Sequence, residues 1–162
     1  MFTSCHVKDL GAAPGGWSVV ASKYLDKTKG GLLIGIDLLP YQPVDSYPII
    51  TGDFSSIFVQ EKISSLLQSR LADVVMSDML HNTTGQKAID HDRSMELVND
   101  ALTFCDGTLK RNGYFFAKFL KGHGDKLLFE RTKRMFADIK LVKPKASRAE
   151  SNEMYILCIR KK

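Results

Sequence analysis

Asp9-Leu10-Gly11-Ala12-Ala13-Pro14-Gly15-Gly16-Trp17 is the run that most restricts how this chain can fold, and about twenty residues later comes Ile34-Gly35-Ile36-Asp37. A short apolar strand that enters a Gly-rich turn and a helix, then a second strand tipped with Asp, is the βαβ unit with which open α/β sheets hold a nucleoside-bearing cofactor. Glycine lets the backbone turn tightly and approach a ligand where a Cβ would collide, and the carboxylate after the second strand accepts from ribose hydroxyls. The spacing is G-x-x-P-G-G rather than G-x-G-x-x-G. Pro14 fixes one φ and removes a donor from the turn, so the loop suits a pyrophosphate less well than a cofactor without phosphates.

The rest of the chain reads as alternating short β-like runs and longer helical stretches, which predicts a largely parallel sheet. Strands are expected at Cys5–Leu10, Leu32–Asp37, Pro48–Ile50, Ala72–Ser77, Tyr114–Phe119, Ile139–Lys143 and Glu153–Ile159. Helices are expected at Gly16–Leu25, Phe58–Arg70, His91–Lys110 and Lys126–Phe136. Only a loop separates the last two strands, and a parallel pair needs a crossover, so the final strand is expected to be antiparallel. By fold-level analogy this is the α/β, Rossmann-like methyltransferase sheet, with helices on both faces.

With 162 residues, 44% of them hydrophobic, residues 1–162 are expected to form a single domain around one core. No apolar run approaches membrane-spanning length and the N-terminus lacks a signal-peptide pattern, so the expected setting is intracellular without a membrane partner. Cys5, Cys105 and Cys158 are odd in number and far apart, and His6, His81, His91 and His123 are equally scattered. Reduced thiols and no metal are therefore expected, and a monomer. The net charge of +5 is concentrated toward the C-terminal half, in Lys126, Arg131, Lys133, Arg134, Lys140, Lys143, Lys145 and Arg148, with Arg160-Lys161-Lys162 beyond. Singly such residues are solvated; together they suggest a polyanionic partner.

Ligands of an open sheet bind beyond the carboxyl ends of its strands. Those ends deliver Asp9-Leu10-Gly11, Asp37, Asp53 after Gly52, Ser77-Asp78-Met79 and Lys118-Phe119, all expected to face one crevice. Asp53 can accept from an adenine amino group or a ribose hydroxyl, or merely form a turn; Asp9 can bond amides of the Gly loop. Asp78 and Lys118 each end a strongly apolar strand, Val74-Val75-Met76-Ser77 and Tyr114-Phe115-Phe116-Ala117. They are either a structural ion pair or a lysine held beside a carboxylate to orient and deprotonate a weakly acidic hydroxyl, such as a ribose 2′-OH.

These elements, with Asp37-Leu38-Leu39-Pro40, Gly52-Asp53-Phe54, and Lys143-Pro144 followed by Ser147-Arg148, Ser151, Glu153 and Tyr155, resemble in order and over essentially the whole chain the FtsJ/RrmJ family. The resemblance implies S-adenosylmethionine-dependent 2′-O-methylation of RNA ribose, of the type acting on a uridine of large-subunit ribosomal RNA. It implies a catalytic set containing Asp78, Lys118 and Glu153, with Lys118 acting on the 2′-OH. It implies cofactor contacts at Gly11, Pro14, Gly15, Gly16, Trp17, Asp37, Leu38, Asp53, Phe54 and Asp78, and RNA contacts at Lys143, Lys145, Ser147 and Arg148. Trp17 has core packing as its other reading.

The family's first catalytic lysine lies in a helix upstream of the first strand, and no residue among 1–8 takes that place. Lys8, inside the strand, is not expected to substitute for it. Two further readings share these residues: an RNA-binding or ribosome-assembly factor that has kept the fold, and a nicotinamide-dependent oxidoreductase, which G-x-x-P-G-G disfavours. The implied compartment is the cytoplasm for a bacterial source and the mitochondrion for a eukaryotic one.

Overall fold

A computed structural model describes residues 4–144 and 151–162. The elements run β1 (His6–Leu10), α1 (Gly16–Ser22), β2 (Leu32–Asp37), β3 (Ile49–Thr51), α2 (Ile57–Leu66), β4 (Ala72–Ser77), α3 (Lys87–Thr108), β5 (Leu109–Leu120), α4 (Asp125–Met135), β6 (Phe136–Val142) and β7 (Glu153–Lys161). They build one seven-stranded sheet in the order β3-β2-β1-β4-β5-β7-β6. β1 to β5 pair in parallel, whereas β7 is antiparallel to both β5 and β6. The final strand is thus inserted between its neighbours rather than added at the edge.

α3 starts four residues before the expected His91, and β6 follows α4 at Phe136 without an intervening turn. The α3 start is polar, Lys87 to Asp90, and is fixed by bonds back to the loop just before it: Asp90 accepts from the Thr84 amide and hydroxyl at 2.7 and 2.8 Å and from the Gly85 amide at 3.1 Å. Those bonds hold the Asp90 carboxyl below its ordinary range.

One face of the sheet carries the larger core. Leu10, Ile34, Ile36, Val75, Phe115, Ala117 and Ile156 meet Val59 and Ile63 of α2, Val98, Leu102 and Cys105 of α3, and Leu128 of α4. On the opposite face Cys5, Val7, Leu33 and Tyr47 pack with Ala21 of α1 and Leu25. All three cysteines are free and buried, and burial pushes the Cys158 thiol up to about 12, which leaves it unreactive.

Lys8 is only 2% exposed although charged. Its ammonium lies 4.9 Å from the Phe104 ring centroid and donates to the Thr108 carbonyl at 3.4 Å, at the C-terminal end of α3. Burial lowers its pKa to about 8.

Part of the basic C-terminal half is structural. Arg131 donates to the carbonyl and side chain of Asn99 at 3.0 and 2.8 Å and to Thr103 at 2.8 Å, tying α4 to α3. Lys161 binds the Cys105, Asp106 and Leu109 carbonyls at 2.6–3.1 Å, and Lys162 binds the Lys133 carbonyl at 2.7 Å. Two cations of the terminal Arg160-Lys161-Lys162 run therefore satisfy backbone carbonyls, as positive groups near helix C-termini do. Lys126, Lys133, Arg134 and Lys140 are exposed.

Candidate active site

The Gly-rich turn lies where β1 ends against β4. Gly11 has φ +71°, and a Cβ there would come within 2.9 Å of the Met79 amide nitrogen. Its amide and that of Ala12 donate to the Ile36 carbonyl at 2.9 and 3.2 Å, fastening the turn to the end of β2. Asp37, at that end, accepts from the Ala13 amide at 2.9 Å with one carboxylate oxygen and from the Leu39 amide at 2.8 Å with the other. The carboxylate expected to meet a ribose thus also shapes the loop, and Asp37 lines the cleft. Gly15, at φ 111°, opens α1. Gly16 has open space around its Cβ position, so no steric need for glycine exists there.

A cleft of about 480 Å³ opens beyond the strand ends, within the range of small-ligand sites. Gly11, Asp37, Leu38, Asp53, Phe54 and Asp78 line it, as do Met79, Leu80, His81, Glu96 and Asp100. Asp53 accepts from the Ser55 amide and hydroxyl at 2.8 and 2.7 Å through Oδ1, which leaves Oδ2 for a ligand. Phe54 is anchored edge-on against Phe104, centroids 5.7 Å apart. The lining holds five carboxylates, Asp37, Asp53, Asp78, Glu96 and Asp100, and no lysine or arginine. Such a cleft repels phosphates and attracts a cation.

Pro14, Gly15, Gly16 and Trp17 are not among the lining residues. Trp17 stacks on Phe116 with centroids 5.1 Å apart and leans on Tyr155 at 5.6 Å, so its indole packs against β5 and β7. Asp9 does not bond amides of the Gly loop. It is fully buried and accepts from the Ser18 hydroxyl of α1 at 2.6 Å. Burial pushes its carboxyl up to about 6; the Ser18 bond opposes that, while the charges of Asp78 and Asp37 add to it.

Asp78 begins beyond β4, its amide bonded to the Leu10 carbonyl at 3.0 Å. Its Oδ1 lies 2.9 Å from the Lys118 ammonium, an ion pair whose side chains are 32% and 11% exposed. Oδ1 is buried, and its contact with the Lys118 nitrogen is an ion pair without hydrogen-bond alignment. In the sheet register Lys118 stands opposite Tyr155, and Leu120 opposite Glu153. Burial, then the charges of Asp78 and Glu153, push the Tyr155 phenol up to about 12, so it stays protonated at neutral pH. Lys118 therefore lies between Asp78 and Tyr155 at the rim of the acidic cleft. Lys8 contributes nothing here, since its ammonium is at the far end of α3.

Sequence reasoning missed Glu96 and Asp100, one helical turn apart on α3, and Tyr155 as a neighbour of Lys118. The (i, i+4) spacing of the acids puts them on one face of a helix, but which face meets the cleft depends on packing. Lys143 donates to the Ser151 carbonyl at 3.3 Å. The expected RNA contacts Lys145, Ser147 and Arg148 lie outside the described residues.

An open sheet with an inserted antiparallel strand and a cleft at the Gly-rich turn is the arrangement expected of a Rossmann-like methyltransferase. A family profile described as FtsJ-like methyltransferase matches residues 3–161. The chain belongs to that family. It is 42% identical, over its whole length and 73% of the relative's, to the ribosomal RNA large subunit methyltransferase E of Rickettsia akari. It is 44% identical to the protein of the same name from Granulibacter bethesdensis, over 94% of this chain and 64% of that one. A solved ribosomal RNA methyltransferase from Plasmodium falciparum superposes with a TM-score of 0.85 at 26% identity, covering 97% of this chain and 86% of that one.

Proposed function

We propose that this chain transfers the methyl group of S-adenosylmethionine to a ribose 2′-OH of RNA, at a uridine of large-subunit ribosomal RNA. The observation that carries the reading is the acidic cleft opening onto the Asp78–Lys118 pair, 2.9 Å apart. Its five carboxylates fit a cationic, phosphate-free nucleoside cofactor. Asp53 Oδ2 and the remaining lone pairs of Asp37 are placed for ribose and adenine donors, Leu38 and Phe54 for the apolar faces, and Gly11 for close backbone approach.

Bound there, S-adenosylmethionine supplies an electrophilic methyl group, so the protein's task is alignment and removal of one proton. Lys118 holds the ribose oxygen by a hydrogen bond and, in its amine form, accepts the hydroxyl proton. Asp78 fixes the position of that nitrogen. Glu153, from β7, borders the same strand end and holds the substrate side of the site. Tyr155, kept protonated, can donate a hydrogen bond but does not take the hydroxyl proton. The exposed cations of α4 and β6, together with Lys143 and the 145–148 segment, supply the attraction for the RNA backbone.

Calorimetry against S-adenosylmethionine, with NAD as control, combined with transfer of a labelled methyl group to ribosomal RNA and to large subunits, tests this. Selective binding of S-adenosylmethionine and a 2′-O-methylated ribose are expected. Preference for NAD, or methylation of a base instead of a ribose, would overturn the reading.

A further inference from the structure

His91 is 1% exposed and uses both ring nitrogens. The Gly124 amide donates to its Nε2 at 2.8 Å, so Nε2 is unprotonated and the proton is on Nδ1, which donates to the Leu120 carbonyl at 2.6 Å. One turn on, the Ser94 hydroxyl accepts from the Leu120 amide at 2.9 Å. Both backbone groups of Leu120 are thus held by α3. The segment after Leu120 wraps the imidazole closely: a Cβ on Gly122 would be 2.5 Å from the ring, and one on Gly124 2.9 Å from Nε2. Lys121 continues the grip by donating to the Asn152 carbonyl at 2.8 Å, beside Glu153. The preceding residue, Asp90, holds the Thr84-Gly85 turn of the segment that follows Asp78.

His91, Asp92 and His123 bring ligand-type atoms within 4.8 Å of one another. Because Nε2 of His91 is occupied by an amide and Nδ1 carries its proton, the imidazole has no lone pair for a cation. The buried ring serves the backbone instead.

We propose that His91, with Ser94, is a positioning residue for the transfer reaction: it fixes the end of β5 and thereby places Lys118, two residues upstream, against Asp78. This rests on the reading of Lys118 as the group that meets the ribose hydroxyl. Losing either bond lets the strand end relax, and misplacement by a fraction of an ångström is costly in an alignment-driven reaction.

The test is single-turnover methyl transfer by the full chain as His91→Ala, His91→Asn and Ser94→Ala, alongside calorimetry with S-adenosylmethionine. For His91→Ala the rate is expected to fall about tenfold or more while cofactor affinity stays within about twofold. His91→Asn, whose amide can still donate to the Leu120 carbonyl, recovers part of the loss, and Ser94→Ala reproduces the pattern more weakly. Combined with Lys118→Ala, the His91 substitution slows residual transfer no further, since both act through one group. An unchanged rate, a parallel loss of rate and cofactor affinity, or losses that multiply would overturn the proposal. If the unaltered chain transfers no methyl group, the functional reading fails and the positioning is decided by NMR. The proposal then requires a protonated Nδ1, a bare Nε2 and a Lys118 ammonium resonance displaced in Ser94→Ala. A Lys118 resonance that stays in place overturns it.

Discussion

The Lys118 side chain is 11% exposed and held by one carboxylate, an arrangement that orients a hydroxyl at little reorganisation cost. Lys118→Ala is expected to reduce transfer by about 10²- to 10⁴-fold, the usual span for a positioned acid or base, with S-adenosylmethionine affinity unchanged by calorimetry. Asp53 differs, because in the proposed reading its part is to bind the cofactor and not to act on the ribose. Asp53→Ala removes the free Oδ2 and is expected to weaken cofactor binding by about 1.5–3 kcal/mol, roughly ten- to a hundredfold in Kd, with the single-turnover rate at saturation nearly preserved. Equal losses in both quantities would argue that the substitution disturbs the loop through Ser55 instead.

At the scale of elements, the Gly-rich turn and α3 are the pieces on which the site is assembled. Gly11→Ala puts a Cβ against the Met79 backbone at a left-handed φ. It is expected to cost about 2–3 kcal/mol of stability, read from urea unfolding, and to lower cofactor affinity as well. Most strands and helices were legible in the sequence from their apolar runs, as in Leu32–Asp37 and Ala72–Ser77. The charged residues at strand ends, Asp78 and Lys118, were legible because each follows an apolar run, Val74–Ser77 or Tyr114–Ala117, that ends at the crevice. The start of α3 was not, since Lys87 to Asp90 is polar and owes its helical form to bonds with Thr84 and Gly85. Nor was the burial of Asp9, which is decided by a hydroxyl nine residues away on α1, or the face of α3 that presents Glu96 and Asp100. The first turns on bonds to a loop five and six residues back, the other two on contacts between elements.

For the whole molecule, two buried charges in one strand, Lys8 and Asp9, set opposite pH dependences. Asp9 has its folded pKa raised from 3.8 to about 6, so the folded state binds more protons than the unfolded chain in that window, and stability falls as pH rises through it. Lys8 has its folded pKa lowered from 10.5 to about 8, so the unfolded chain binds more protons there and stability rises from pH 8 to 10.5. Each swing is bounded by about 3 kcal/mol. Urea unfolding from pH 4 to 10 is therefore expected to show a shallow minimum between about 6 and 8 from these two groups. Asp9→Asn, which can still accept from Ser18, removes the acid limb and Lys8→Met the alkaline one. A curve unaltered by both substitutions would contradict the burial argument.

The place of β7 has a consequence for how such a chain is made. β7 follows β6 in the chain but lies between β5 and β6, so the ribosome delivers the two outer partners before the strand that joins them. Until residues 153–161 emerge, β5 has an unpaired edge and β6 has no neighbour, and such edges invite association with other nascent chains. β7 fills that gap in the finished sheet, and it sets Tyr155 opposite Lys118 and Glu153 opposite Leu120. Completion of the sheet and completion of the site therefore depend on the same strand.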